Sequence, residues 1–270
     1  MGAKWKVTPM ELGFVYLPYH SLIFDETADA EKNNSWYDVP VLAFLLTNTE
    51  TGEKRLIDAG GDSDHPELLA NYDRVTGHGG YSAAEALKAN GTDPDDITVI
   101  YATHLHWDHG WGMRYFPKAR IIVQKKEVEF GCKSLYRAPN CTLYPEEPLP
   151  YFLKFYHQME LIDGDRDFGD GIKAFLTPGH SDGSMSFLVD TPEGWCCFVG
   201  DAMYIKACWD KGRPAGALTD VRLGFEGYKR IKSEMDAHQA KFVASHDYQS
   251  LELFADKIIM NEVPEKLFRG

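Results

Sequence analysis

Apolar and polar positions along the chain fall into short runs punctuated by glycine- and aspartate-rich turns. Phe14-Val15-Tyr16-Leu17 and Val39-Pro40-Val41-Leu42-Ala43-Phe44-Leu45-Leu46 are apolar and β-rich and predict strands. The polar, acidic stretch from Asp25 to Asp38 joins them as a loop. Arg55-Leu56-Ile57 follows a Thr51-Gly52 turn and runs into Asp58-Ala59-Gly60-Gly61, which predicts a strand ending in a glycine turn with Asp58 at its tip. From Asp64 to Arg74 apolar residues recur at helical spacing, with Pro66 in the first turn. Gly77-His78-Gly79-Gly80 reads as a loop, and Ser82-Ala83-Ala84-Glu85 as a capping box opening a helix that stops at Asn90-Gly91. After the turn Asp93-Pro94-Asp95-Asp96, the run Ile97-Thr98-Val99-Ile100-Tyr101-Ala102 predicts a buried strand. Ala119–Val123, Ile172–Leu176, Trp195–Val199 and the run beginning at Phe242 predict further strands, and Gln124–Glu129 a short helix. Strand, helix and strand-end loop in alternation are the rhythm of a layered α/β protein.

Residues 131–158 break that rhythm. They hold Tyr136, Tyr144, Tyr151, Phe152, Phe155 and Tyr156 among four prolines, and read as either a packed surface excursion or, the favoured expectation, a lid over a pocket. Asp163-Gly164-Asp165-Arg166-Asp167 begins like a calcium loop, but Phe168 stands where that loop needs glycine, so the segment reads as an acidic turn. Neither a repeat nor a linker interrupts the chain, and residues 1–270 are expected to form one domain.

The densest chemistry follows the strand at 97–102. Thr103-His104-Leu105-His106-Trp107-Asp108-His109-Gly110 places three histidines and an aspartate within six positions. Side chains alternate along a strand, so His104 and His106 leave its end on one side, where two imidazoles can grip one cation. Past Trp107 the chain turns and presents Asp108 and His109 in a new direction, which suits a second ion roughly 3.5–4 Å from the first. Three more apolar runs end in a ligand-type residue: Leu176-Thr177-Pro178-Gly179-His180, Val199-Gly200-Asp201 and Phe242-Val243-Ala244-Ser245-His246. Each sits just past a strand end, where α/β proteins place their chemistry.

Composition narrows the partners. The formal net charge is −13, which repels phosphate backbones and argues against nucleic-acid substrates. No apolar stretch approaches the ~18–20 residues of a membrane helix, and the first residues lack an apolar signal core. Five cysteines without a CxxC pair read as free thiols of a reducing, cytoplasmic compartment.

The pattern His104-x-His106-x-Asp108-His109 resembles the hallmark of the metallo-β-lactamase superfamily, and the segments ending in His180, Asp201 and His246 match its remaining ligand motifs in order. The resemblance implies a four-layer αβ/βα sandwich of the α/β class, with metals at the edge between two sheets. By it, His104, His106 and His180 hold one ion, Asp108, His109 and His246 the other, and Asp201 bridges. Asp58 resembles the superfamily's Asp-x-Gly strand end, suited to hold the outer nitrogen of a metal-bound histidine. Five imidazoles and two carboxylates suit two Zn2+, with Mn, Fe or Co also admissible.

Gly200-Asp201-Ala202-Met203-Tyr204, with Ser245-His246-Asp247, resembles the N-acyl homoserine lactonase branch, where the matching tyrosine hydrogen-bonds the lactone. The chain departs from many of those lactonases after His180, reading Ser181-Asp182-Gly183-Ser184, and at Ser245, often a glycine there. The activity implied is hydrolysis of a lactone ring by a hydroxide bridging two metals. Tyr204 would hydrogen-bond the oxyanion and Asp108 would carry the proton to the leaving oxygen. The expected partner is a small lactone or ester, with neither nucleic acid nor membrane, and a homodimer is admissible. Alternatives are a hydrolase of another lactone of the pyridoxolactone type, a glutathione thioesterase of the glyoxalase II type, and an iron-dependent oxidoreductase of the same fold.

Overall fold

The computed structural model describes residues 5–61, 80–137 and 149–269, with the side chains of 134–137 left aside. The helix expected at 64–74, most of the loop at 77–80 and the centre of the 131–158 segment lie outside the described residues. The strands are β1 (Trp5–Pro18), β2 (Trp36–Asn48), β3 (Lys54–Ile57), β4 (Ile97–Tyr101), β5 (Arg120–Gln124), β6 (Met159–Ile162), β7 (Arg166–Asp167), β8 (Ile172–Leu176), β9 (Met185–Thr191), β10 (Gly194–Phe198), β11 (Lys241–Val243) and β12 (Ile258–Ile259). They form a seven-stranded sheet, β12-β1-β2-β3-β4-β5-β6, and a five-stranded sheet, β11-β10-β9-β8-β7.

The unbroken apolar run of β2 is explained by burial on both faces. Leu42, Phe44 and Leu46 point between the sheets, where they meet Trp5, Val7, Phe187, Val189 and Phe198. Val39, Val41, Ala43 and Leu45 join the other core, with Ala83, Ala84, Ala86 and Leu87 from the helix Ala83–Ala89. Adjacent Cys196 and Cys197 part in the same way, one into each core. Helix Lys125–Arg137 packs on β5, and helix Val221–His238 on β10. Helix, sheet, sheet and helix are thus the four layers of the metallo-β-lactamase fold.

The capping box at Ser82 forms as expected, with Ser82 Oγ accepting from Glu85 N–H and the Glu85 carboxylate accepting from Ser82 N–H. Other elements exceed what the pattern predicts. β1 begins at Trp5 and runs through Glu11, which reads as a surface position. Its carboxylate is buried because Met260 N–H, Asn261 N–H and Asn261 Nδ2 donate to it at 3.1, 2.9 and 3.0 Å. The 125–137 helix is longer than expected, and β9 and the helix at 221–238 lie outside the elements expected from the pattern. The aromatic segment resolves at its described end into a 3-10 turn, Tyr151–Gln158, whose Tyr151, Phe152 and Phe155 are buried in the core.

Candidate metal centre

Strand direction gathers the site. β3 and β4 are parallel, so Asp58 and the loop 103–109 leave the first sheet at one edge. β8 and β10 are each antiparallel to β9, and β11 is parallel to β10, so these three strands also end together. Their ends carry His180, Asp201 and His246. The sheets are tied at this edge where Met185 N–H donates to Thr103 O at 2.9 Å and Leu42 N–H to Ser245 O at 2.9 Å. Gly200 makes the approach feasible. Its φ is +51°, and a Cβ there would lie 2.8 Å from Thr103 Cβ.

All seven expected residues converge as two adjoining sets. His104, His106, His180 and Asp201 form one, and Asp108, His109 and His246 the other, each with its ligand atoms within 4.8 Å of one another. His106 Nδ1 lies 3.0 Å from His104 Nε2 and 2.8 Å from His180 Nε2. Across the centre, His109 Nε2 and His246 Nε2 are 3.3 Å apart. Asp201 stands between the sets: Oδ2 is 3.3 Å from His180 Nε2, and Oδ1 is 3.2 and 3.3 Å from His109 and His246 Nε2. Asp108 Oδ2 approaches His246 Nε2 at 3.6 Å.

β4 stops at Tyr101, so His104 and His106 sit on the loop beyond it rather than on an extended strand. His106 adopts extended φ/ψ at the start of the turn Trp107–Gly110, which presents its Nδ1 where the other rings present Nε2.

Outer contacts set the tautomers. His109 Nδ1–H donates to Asp58 Oδ2 at 2.8 Å, His180 Nδ1–H to Ala217 O at 2.7 Å and His246 Nδ1–H to Pro40 O at 2.7 Å. His104 Nδ1–H donates to Thr103 Oγ1 at 3.1 Å, whose own proton goes to Asp58 Oδ2. Each of these four rings therefore turns Nε2 inward. Asp58 holds this arrangement at φ +58°, a left-handed conformation that aspartate tolerates better than most residues. Three bonds in all, from Thr103 N–H, Thr103 Oγ1 and His109, offset the strain.

Electrostatics agree with a cation site. Burial, then the neighbouring imidazoles, pushes His104 and His106 well below the usual histidine range, leaving them neutral and ready as ligands. Burial also opposes charge on His109 and His246, but Asp201 and Asp108 outweigh it and raise both. Burial favours a neutral Asp201, yet the rings around it win and hold its carboxyl well below the carboxylate range. Asp201 Oδ1 is buried without a hydrogen-bond partner. Inward ring nitrogens, whose protons a cation can replace, and an orphaned carboxylate oxygen, all out of water, fit a pair of cations between them.

A family model described as "Metallo-beta-lactamase superfamily" matches residues 36–229. The chain belongs to the metallo-beta-lactamase superfamily. Within it, N-acyl homoserine lactonase AiiA of Bacillus thuringiensis subsp. kurstaki is 29% identical over 164 residues, which cover 60% of this chain and 61% of the relative. An N-acyl homoserine lactonase of Bacillus sp is 30% identical over 221 residues, 78% of this chain and 83% of the relative. The solved structure of a B. thuringiensis AiiA variant with N-decanoyl-L-homoserine bound at its active site superposes with a TM-score of 0.71. It is 25% identical and covers 95% of this chain and 98% of that one.

The superfamily centre here opens into a cleft of about 350 Å3. Val15, Leu17, Ala217 and Leu218 form its apolar wall, and Tyr204, Asp108 and Trp107 stand beside the ligand atoms. The Tyr204 ring lies 4.8 Å from that of His246 and 5.7 Å from that of His180, so it faces both sets. Among the described residues the cleft contains no lysine or arginine, and the 149–158 turn contributes nothing to it. Two residues near the centre escaped the sequence reading. Glu127 and Tyr151 both contact the ligand loop, but an acidic residue in an amphipathic helix and a tyrosine in an aromatic stretch carry no distinguishing signal.

Proposed function

We propose that this protein is a dinuclear metal hydrolase that opens the ring of a lactone, with an N-acyl homoserine lactone as favoured substrate. The observation that carries the reading is the convergence of seven strand-end ligands on a cleft that also presents Tyr204. The sequence relatives named as N-acyl homoserine lactonases support the substrate class. His104, His106 and His180 would hold one ion, Asp108, His109 and His246 the other, with Asp201 shared between them. The nitrogen-rich, thiolate-free donor set suits zinc.

Bound there, two divalent cations supply Lewis-acid polarisation and water that ionises near neutral pH. The protein's own groups do the rest. The apolar wall of Val15, Leu17, Ala217 and Leu218 receives the acyl portion and keeps bulk water from it. Tyr204 donates its phenolic proton in a hydrogen bond to the carbonyl oxygen as charge builds there. Water adds to the carbonyl carbon, the ring C–O bond breaks, and Asp108 passes the proton of the attacking water to the departing alkoxide. The product is an open-chain hydroxy acid. A cleft without basic side chains among the described residues favours this uncharged substrate over a thioester of glutathione.

A cytoplasmic setting and a single domain belong to the same proposal. The buried free thiols of Cys196, Cys197 and Cys208 support a reducing compartment.

The test is a panel of N-acyl homoserine lactones, aryl esters and glutathione thioesters with zinc-loaded protein. Lactones should give the highest kcat/KM. Tyr204→Phe should lower kcat on lactone by about 10²–10³-fold, the usual cost of one oxyanion donor, and Asp108→Asn by about 10²–10⁴-fold. Faster turnover of thioesters than lactones, or unchanged kcat in both metal-loaded variants, overturns the reading.

A further inference from the structure

Glu127 is fully buried, and its carboxylate spans two segments that are distant in sequence. Oε1 accepts from Leu105 N–H at 2.9 Å, and Oε2 accepts from Ser181 Oγ at 2.5 Å. Leu105 is the residue between His104 and His106, and Ser181 follows His180. One carboxylate therefore joins the backbone carrying two imidazoles to the loop carrying the third. All three belong to the same ligand set.

The surroundings are built around this bridge. Tyr151 Oη donates to Leu105 O at 3.1 Å, so the main chain of Leu105 is held at both its N–H and its C=O. Gly110 leaves room for that hydroxyl, since a Cβ there would stand 2.1 Å from it. On the other loop, Ser184 Oγ lies 2.7 Å from Ser181 Oγ and accepts from Ser181 N–H at 3.2 Å. Gly183 rests against the start of the 125–137 helix, where a Cβ would meet Glu127 N at 2.1 Å and Glu127 Cα at 2.4 Å. The stretch Ser181-Asp182-Gly183-Ser184 is thus the half of the bridge that receives Glu127.

We propose that Glu127 is a positioning residue for the cation held by His104, His106 and His180. It fixes the separation of the two loops, so that three imidazoles meet at one point before an ion arrives. A buried carboxylate is costly to keep, and apolar packing would join the loops without that cost. What apolar packing lacks is direction: the two oxygens of a carboxylate fix the angle as well as the distance between their donors. The second set, Asp108, His109 and His246, takes its outer contacts from Asp58 and Pro40, whereas the segments that Glu127 joins carry the first set. The effect should therefore be confined to one ion. This inference rests on reading the site as a metal centre, not on the identity of the substrate.

The test is zinc affinity by competition with a chromophoric chelator, together with the visible spectrum of cobalt-substituted protein. His180→Ala and His246→Ala serve as reference spectra for loss of the first and the second ion. Outer-contact partners of metal ligands typically contribute 10–100-fold in affinity. Glu127→Ala should weaken one of the two zinc ions by about that factor, with a cobalt spectrum like that of His180→Ala. Glu127→Gln keeps an acceptor for Leu105 N–H and, once the Ser181 hydroxyl rotates, a second bond, and should recover most of the affinity. Ser181→Ala removes one arm without stranding the loop and should show a smaller loss at the same ion, which keeps the test decisive if Glu127→Ala fails to fold. Equal weakening of both ions, unchanged affinity in Glu127→Ala and Ser181→Ala, or a spectrum matching His246→Ala overturns the proposal. Wild-type protein that takes up no ion overturns the metal centre and this role together. Protein that takes up two ions but opens no lactone overturns only the substrate.

Discussion

Asp58 shows how much one side chain can organise. Its two oxygens accept from Thr103 N–H, Thr103 Oγ1 and His109 Nδ1–H, all at 2.8 Å and all buried. It thereby sets the ring of His109 directly and that of His104 through the threonine hydroxyl. Asp58→Ala would leave His109 Nδ1–H and Thr103 N–H without acceptors in the interior. The expected result is a 10–100-fold loss of metal affinity and about 1–3 kcal/mol of stability for each stranded donor. Chelator competition measures the first and denaturant unfolding the second. Asp58→Asn separates charge from geometry, since its one carbonyl oxygen can serve Thr103 N–H or His109 but not all three donors.

At the scale of elements, strand ends matter more than strand interiors for function, and the reverse holds for stability. Phe44 in β2 is edge-on to Phe198 in β10 at 4.9 Å, and this pair links the two sheets directly behind the metal edge. Phe44→Ala should cost about 3–5 kcal/mol, read as a lower denaturant midpoint with unchanged slope, while metal content stays at the wild-type value. Gly200→Ala tests the opposite case. It sits at a surface-like turn in the sequence, yet a methyl group would meet Thr103 at 2.8 Å and face a φ of +51°. Metal affinity should fall further than stability does, because the displaced elements are the Asp201 turn and the Thr103 loop themselves. A stability loss with intact metal binding would show that the two sheet edges adjust independently.

For the whole molecule, a bound pair of cations would be coupled to the fold. The candidate ligands come from the ends of β4, β8, β10 and β11, so ions bound there would crosslink both sheets and favour the folded state. Free zinc at a thousand times its dissociation constant should stabilise by about 4 kcal/mol per site. Removal of metal with a chelator should lower Tm by several degrees, reversibly, and the shift should shrink in Asp201→Ala. An unchanged Tm after complete metal removal would mean that the sheets close without help from the centre.

Much of this site is legible in the chain itself, for a physical reason. Metal ligands must be particular residue types, and in an α/β protein they cluster just past strand ends, so His104, His106, Asp108, His109, His180, Asp201 and His246 stand out after apolar runs. The capping box at Ser82 and the strand of β2 are legible for the same reason: a cap and an unbroken apolar run are both written in neighbouring positions. What tertiary structure alone decided depends on who faces whom. Glu11 and Glu127 look like surface carboxylates until Asn261, Leu105 and Ser181 arrive from elsewhere in the chain to satisfy them. Tyr151 reads as one aromatic among many until its hydroxyl reaches Leu105 O. Strand order, the edge at which five strands end together, and the tautomer each histidine adopts are likewise set by long-range pairing. A residue's type announces which bonds it can make, and only the fold brings the partners that make them.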